Sequence, residues 1–218
     1  MNKTTHMKIA GYGSLIGFSQ FLIFPTVAMF FYGGGTPLDH SMEGYTFWEN
    51  FLSDLGRTVA YSGVENSISS PLFNSSLGLF GLSLILLYSA MFRLIPSILG
   101  WLTSLAGIAS GIGMTIISLT PDDLYPVQHM FGVWLWGVAL LGAVLMIIIH
   151  EIQTNSNRGI FLILSIFIVI TLVIHIVQGL QDIRGPIVAT TQKIVVYSNC
   201  IWYLILSRRM IDYSNQLE

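Results

Sequence analysis

The chain has 218 residues, of which 53% are hydrophobic and 9% charged, with a formal net charge of −2. A soluble domain carries about 25% charged residues, so this composition excludes an ordinary water-soluble globule and makes a bilayer the expected solvent. A nucleic-acid partner is excluded as well, because phosphate recognition calls for a basic surface.

Six apolar runs are long enough to span, since about 20 residues cross the hydrocarbon core as a helix. In chain order they cover residues 9–32, 72–92, 98–119, 127–149, 159–177 and 187–206. The first is long and no small-residue cleavage motif follows it, so it is expected to be a span rather than a signal peptide. Pro25 removes one backbone hydrogen bond there and is expected to kink the helix. Gly13 with Gly17, and Gly107 with Gly111, have the four-residue spacing that lets helices approach closely. Cys200 is the single cysteine and lies in an apolar run, so cysteine usage says nothing about redox compartment.

Most connections are short, which predicts antiparallel neighbours in one bundle and one transmembrane domain over 1–218. The exception is 33–71, a polar loop that opens with Gly33, Gly34, Gly35 and Pro37. Within it, residues 47–55 have helical periodicity. Phe47, Trp48, Phe51, Leu52 and Leu55 share one face, with Glu49, Asn50, Ser53 and Asp54 largely on the other. Such a stretch is expected to lie in the membrane interface with its aromatic face down, ending at Gly56.

Lys/Arg counting sets the expected orientation. With the N-terminus inside, one side holds Lys3, Lys8, Arg93, Arg158, Arg208 and Arg209, and the other only Arg57 and Arg184. The expectation is a cell-membrane protein, all-α, with six spans and both termini cytoplasmic. Most acids then fall outside: Asp39, Glu43, Glu49, Asp54, Glu65, Asp122, Asp123 and Asp182.

The residues able to carry chemistry gather near that outer face. On the fifth run Thr171, His175, Gln178 and Asp182 follow i, i+4, i+7, i+11 spacing and form one polar stripe if the helix continues. Lys193 must lie inside the last helix, because residues 194–206 alone are too short to span. A charge in a span costs about 2.5–3.5 kcal/mol and therefore faces a partner or a wet cavity. Snorkelling to the surface is the bland alternative. The third run ends in Thr115, Ser118 and Asp122. Asp123 follows, and His129 opens the fourth, where the helix dipole favours carboxylates and a neutral imidazole. Asn66 and Asn74 flank the outer end of the second run. His150-Glu151 reads as interfacial, and His6 and His40 as ordinary terminus and loop residues.

Phe51-Leu52-Ser53-Asp54-Leu55-Gly56, Phe73-Asn74, and Pro121-Asp122 followed by His129 resemble an uncharacterised family of bacterial and archaeal six-helix membrane proteins, a domain of unknown function. The layout is also faintly similar to the damage-regulated autophagy modulator type. The resemblance covers nearly the whole chain and implies that Ser53, Asp54, Asn74, Asp122 and His129 are family features. It implies no activity. The stretch between Gly56 and Phe73 is longer than in that pattern. Alkaline ceramidase-type hydrolases are a second comparison, but their His-x-x-x-His pair is absent, since position 179 is Gly four after His175.

Four functions follow from a polar site under the outer face. The first is binding of a lipid or other amphiphile, with Ser53, Asn74, Asp123, Gln178, Asp182, Arg184 and Lys193 as headgroup-binding candidates. The second is an intramembrane hydrolase or transferase using His129, His175, Asp54 and Asp122, with imidazole as base and carboxylate to orient it. A zinc version would draw three ligands from those four. The third is an ion-coupled transporter in which Lys193 and Asp182 exchange partners. Against it, only Gln20 and Ser104 offer polar stations deeper in the bilayer. The fourth is a structural assembly subunit. Membrane lipids are the one partner the composition implies. Cofactor, metal content and oligomeric state are not legible.

Overall fold

The computed structural model describes residues 2–154, 159–181, 183 and 185–218. Helix α1 runs Lys3–Met29, α2 Ser69–Tyr88, the short α3 Met91–Leu94, α4 Ile98–Leu119, α5 Pro126–Gln153, α6 Ile160–Leu180 and α7 Pro186–Gln216. The breaks between them have local causes. Pro96 disfavours a helical Ile95 and separates α3 from α4. Pro126 and Pro186 occupy the first turns of α5 and α7, where the missing N–H costs nothing.

Each long helix packs on the next in chain order, and α7 returns to α1, so the six long helices among the described residues close a ring. Loop 30–68 covers one end of it. Both termini and α3 lie at the other. Among the described residues, five segments are long and apolar enough to cross a membrane: Lys3–Met29, Ser69–Leu94, Ile98–Leu119, Pro126–Gln153 and Ile160–Leu180. The sixth expected span differs. Helix α7 extends ten residues past the apolar run, carries Lys193, Arg208, Arg209 and Asp212, and is not among these five.

Aromatic packing fills the ring near α1, α2 and α7. Phe18 stacks on Tyr203 at 4.9 Å, Phe21 meets Phe80 at 4.7 Å, and Phe161 stacks on Trp202 at 5.5 Å. Glycines decide how tightly neighbours close. A Cβ at Gly113 would stand 2.5 Å from the Trp136 nitrogen and 2.8 Å from the Gly132 carbonyl oxygen, so α4 and α5 touch backbone to backbone. The expected close approach at Gly17 and Gly107 is also present. Added carbons there would strike Ser83 and the Tyr88 ring. The α5–α6 seam behaves differently. Gly137 and Gly179 have nothing nearer than 3.9 Å to an added Cβ, so these two glycines leave space.

The expected amphipathic helix over 47–55 is not formed. Residues 47–49 are a turn, and a five-residue 3-10 helix follows over Leu52–Gly56. Burial departs from the expected faces in part: Leu52 and Leu55 are buried, but so are Asn50 and Asp54, whereas Trp48 is 62% exposed. The reason is hydrogen bonding that periodicity does not encode. Asn50 caps its own turn by accepting from Thr46 N–H, and its amide donates to Gly35 O and Asp54 Oδ2. Polar side chains at the start of α2 then take up the carbonyls of the 3-10 helix. Ser69 and Asn66 donate to Leu55 O, and Ser70 and Asn74 donate to Gly56 O. Gly56 sits so close that an added Cβ would be 2.5 Å from Asn74 Oδ1.

Candidate functional site

A cavity of about 330 Å³ lies at the loop end of the ring. Helices α5, α6 and the first turns of α7 form its walls, and the loop residues Phe51, Ser53, Asp54 and Tyr61 form its roof. Met130, Val133, Trp134, Leu172, Ile176 and Val188 make most of the lining apolar. Gly137 and Gly179 line it too, which places the loose α5–α6 seam at its side.

All four candidate acid–base residues, Asp54, Asp122, His129 and His175, border this one space. Asp54 is 4% exposed. Its Oδ2 accepts from the Asn50 amide at 3.0 Å and the Phe51 N–H at 2.8 Å. Burial nevertheless prevails and pushes the carboxyl up to about 6, against the lowering pull of those two hydrogen bonds and of Arg57. His129 is buried in the first turn of α5, and its Nδ1 meets the Thr120 carbonyl at 2.8 Å. A carbonyl only accepts, so Nδ1 holds the proton and Nε2 keeps the lone pair in the neutral ring. His175 is half-buried on α6, with a buried Nδ1 that has no partner among the described residues. Asp122 is paired with Arg57 at 3.1 Å, which fastens the loop to the α4–α5 corner.

The remaining candidates separate by role. Ser53 lines the cavity. Asp123 binds protein: it accepts Thr58 N–H, Thr58 Oγ1 and Val59 N–H. Partial burial alone would raise that carboxyl, but these donors hold it below its ordinary value. Asn74 is spent on Gly56 O, and Gln178 Oε1 accepts from Thr191 Oγ1 at 2.6 Å across α6 and α7. Lys193 does not border the cavity. Its Nζ donates to Asn50 O and to Ala189 O, with the Tyr45 and Phe47 rings nearby. Along the α6 stripe Thr171 bonds back to Phe167 O, His175 lines the cavity, and Gln178, a hydrogen-bond partner of His175, also reaches Thr191 of α7. Asp182 and Arg184 lie outside the described residues.

Among the described residues, no three His, Cys, Asp or Glu side chains gather closely enough to hold a metal ion. The two His and two Asp are spread around the wall of the cavity, so the zinc version gains no support. Gln192 is a site residue that sequence reasoning missed. It lines the cavity and also accepts the Leu52 N–H at 2.7 Å. Its place beside Lys193 on a helix facing the loop was the available signal. Glu151, near the end of α5, is 4% exposed and paired with Arg209 at 2.8 Å.

No curated protein and no solved structure matches this chain. A family model described as "Protein of unknown function (DUF998)" matches residues 26–209, which include the whole cavity and the loop above it. The apolar helices are compatible with an integral membrane protein. The chain therefore belongs to that family of unknown function.

Proposed function

We propose that this is a cell-membrane protein with six spans, α7 included, and cytoplasmic termini, and that it binds a lipid or other amphiphile in the cavity under its extracytoplasmic face. At 31 residues α7 is about 46 Å long, enough to cross even with charged ends. The observation that carries the reading is the division of the cavity wall. Asp54, Asp122, His129 and Ser53 lie toward the loop end, while Val133, Leu172 and Ile176 lie further along α5 and α6, with His175 the polar group among them. A headgroup meets the first set and an acyl chain the second. The α5–α6 seam, kept loose at Gly137 and Gly179, supplies a lateral entry from the bilayer.

Native mass spectrometry of protein extracted from its own membranes tests this. Wild type should retain an amphiphile-sized adduct, and Val133→Trp, which fills the cavity, should lose it. No adduct, or equal retention by the filled variant, refutes the reading.

One observation favours an intramembrane hydrolase or transferase as a second reading. The Thr120 carbonyl presents His129 in a single tautomer with a basic Nε2, in a cavity shared with a buried carboxyl. Turnover of bound lipid that His129→Gln abolishes, with binding intact, would favour the enzyme over the binding protein.

A further inference from the structure

The terminal end of the ring holds a second cavity, of about 650 Å³, between the α3–α4 junction and the last turns of α5 and α7. Met91, Leu94, Ile95, Ile147 and Leu206 give it an apolar wall. Of the described Lys, Arg, Asp and Glu side chains, Glu151, Arg209 and Asp212 border it. Counted from the loop end at 1.5 Å per residue, Ile147 and Leu206 lie about 30 Å along their helices, and Glu151 and Arg209 about 35–38 Å. A hydrocarbon core is about 30 Å thick. On the six-span reading, the apolar wall stands at the edge of the core and the charged pair just outside it, within reach of water and headgroups.

Glu151 and Arg209 form an incomplete pair. A carboxylate and a guanidinium can share two parallel hydrogen bonds. This pair makes one, from Nη2 to Oε1 at 2.8 Å. Glu151 is 4% exposed, and its Oε2 is buried with no partner among the described residues. Arg209 makes no other hydrogen bond among those residues, and the Phe161 ring lies 4.3 Å from its guanidinium, so Nη1 and Nε remain as donors. A buried ion pair offsets its loss of hydration only when its remaining lone pairs and protons are bonded too. Two requirements are therefore unmet beside one cavity: a donor for Oε2 and an acceptor for the guanidinium.

Those requirements select the occupant's chemistry. A simple anion drawn to Arg209 would meet the Glu151 carboxylate 2.8 Å away. A simple cation drawn to Glu151 would meet Arg209. A metal ion lacks ligands, because no three His, Cys, Asp or Glu side chains gather among the described residues. Asp212 is already paired with Arg208 at 3.0 Å. Water alone would satisfy Oε2 but would leave the apolar wall wet. A molecule with charges of both signs a few bonds apart, carried on a hydrocarbon portion, meets every requirement.

We propose that the terminal-end cavity binds a zwitterion, a primary ammonium beside a carboxylate or phosphate on an apolar body, across the Arg209–Glu151 pair with its charges reversed. The ammonium donates to Glu151 Oε2, and the anionic group accepts from Arg209 Nη1 and Nε. The hydrocarbon portion lies on Leu94, Ile147 and Leu206. Two sources carry this chemistry: a free amino acid with an apolar side chain, and the phosphoethanolamine headgroup of a phospholipid. A trimethylated ammonium has no N–H to give Oε2 and does not qualify. The site is separate from the loop-end cavity and needs no occupant there.

The test uses full-length protein in dodecyl maltoside and two probes. Tritiated L-leucine is followed by scintillation proximity, and an equimolar mixture of dioleoyl phosphatidylethanolamine and dioleoyl phosphatidylcholine by native mass spectrometry. If a free zwitterion is the occupant, leucine binds, and N-acetylleucine and leucinamide, each lacking one charge, compete at least tenfold more weakly. If a headgroup is the occupant, ethanolamine adducts exceed choline adducts at least fivefold. Glu151→Gln keeps an oxygen for Arg209 Nη2 and puts an amide N–H where Oε2 stood. It should weaken leucine binding at least tenfold or erase the lipid preference. Val133→Trp, in the loop-end cavity, should leave either signal unchanged. The proposal is overturned by the absence of both signals, by a signal that Glu151→Gln spares, or by one lost in folded Val133→Trp. If Glu151→Gln fails to fold, the probes decide. N-acetylleucine competing as well as leucine, or the two lipids retained equally, then overturns it.

Discussion

The Nζ of Lys193 donates a hydrogen bond to the backbone carbonyl of Asn50, 143 residues earlier in the chain. One residue away, Gln192 Oε1 accepts the Leu52 N–H. Two adjacent side chains of α7 thus hold the loop that roofs the cavity. This is how the protein accommodates its buried lysine, since the ammonium finds carbonyl oxygens and aromatic faces and takes no carboxylate partner among the described residues.

Lys193→Met should therefore loosen the roof before it affects the helices. A hydrogen bond to a charged group is worth about 1.5–3 kcal/mol. Amide exchange at Phe51 and Leu52 should accelerate at least about tenfold, with little change in the α2 and α4 amides. Unchanged exchange at Phe51 and Leu52 would remove Lys193 as the anchor.

Asp54 makes stability fall as pH rises. Its folded value, about 6, lies above the ordinary 3.8, so the folded state holds this proton more tightly than the unfolded chain. The contribution is complete below about pH 4 and is lost as pH climbs through 6, about 3 kcal/mol in all at 1.36 kcal/mol per unit. Asp54→Asn keeps a neutral acceptor for Asn50 and Phe51. Denaturant unfolding from pH 4 to 7.5 should show wild type losing this increment relative to the variant. Parallel profiles would mean Asp54 is ionised as easily in the fold as outside it.

Two glycines near the cavity should respond oppositely to a methyl group. Gly113→Ala forces a Cβ against the Trp136 and Gly132 backbones and should destabilise by about 1–3 kcal/mol. Gly137→Ala meets only Leu172 at 3.9 Å and should be neutral or gain about 0.5–1 kcal/mol from reduced backbone entropy. Thermal unfolding of both variants in one detergent compares them. A similar loss in each would mean the α5–α6 seam has no spare room at Gly137.

At the terminal end, Arg209→Ala leaves the Glu151 carboxylate buried without its partner, at a cost of about 3–5 kcal/mol. Adding Glu151→Gln should recover much of that loss. A double variant as unstable as Arg209→Ala would place the damage in the lost Arg209–Phe161 contact, 4.3 Å from guanidinium to ring.

Much of the candidate site was legible because polar residues are conspicuous in apolar runs. Asp54, Asp122, His129 and His175 stand out against apolar neighbours, and a shared depth can be counted from helix rise. Counting could not say which way a side chain turns. Asp123 and Asn74 sit at the same level as His129 but spend their polar atoms on loop amides and carbonyls. The loop was misread for a related reason. Periodicity presumes that polar residues seek water, while Asn50 and Asp54 turn inward to satisfy backbone groups in a segment too irregular to satisfy its own.

Composition and hydropathy by themselves determined the solvent, the helical class and the approximate span limits, since each depends on local counts of apolar residues against a fixed bilayer thickness. Only the tertiary structure decided that the helices close a ring, and that Lys193 grips the roof and leaves the cavity to His129 and His175. Those outcomes depend on helix rotation and on which backbone groups remain to be satisfied after packing, and neither is written in any single segment.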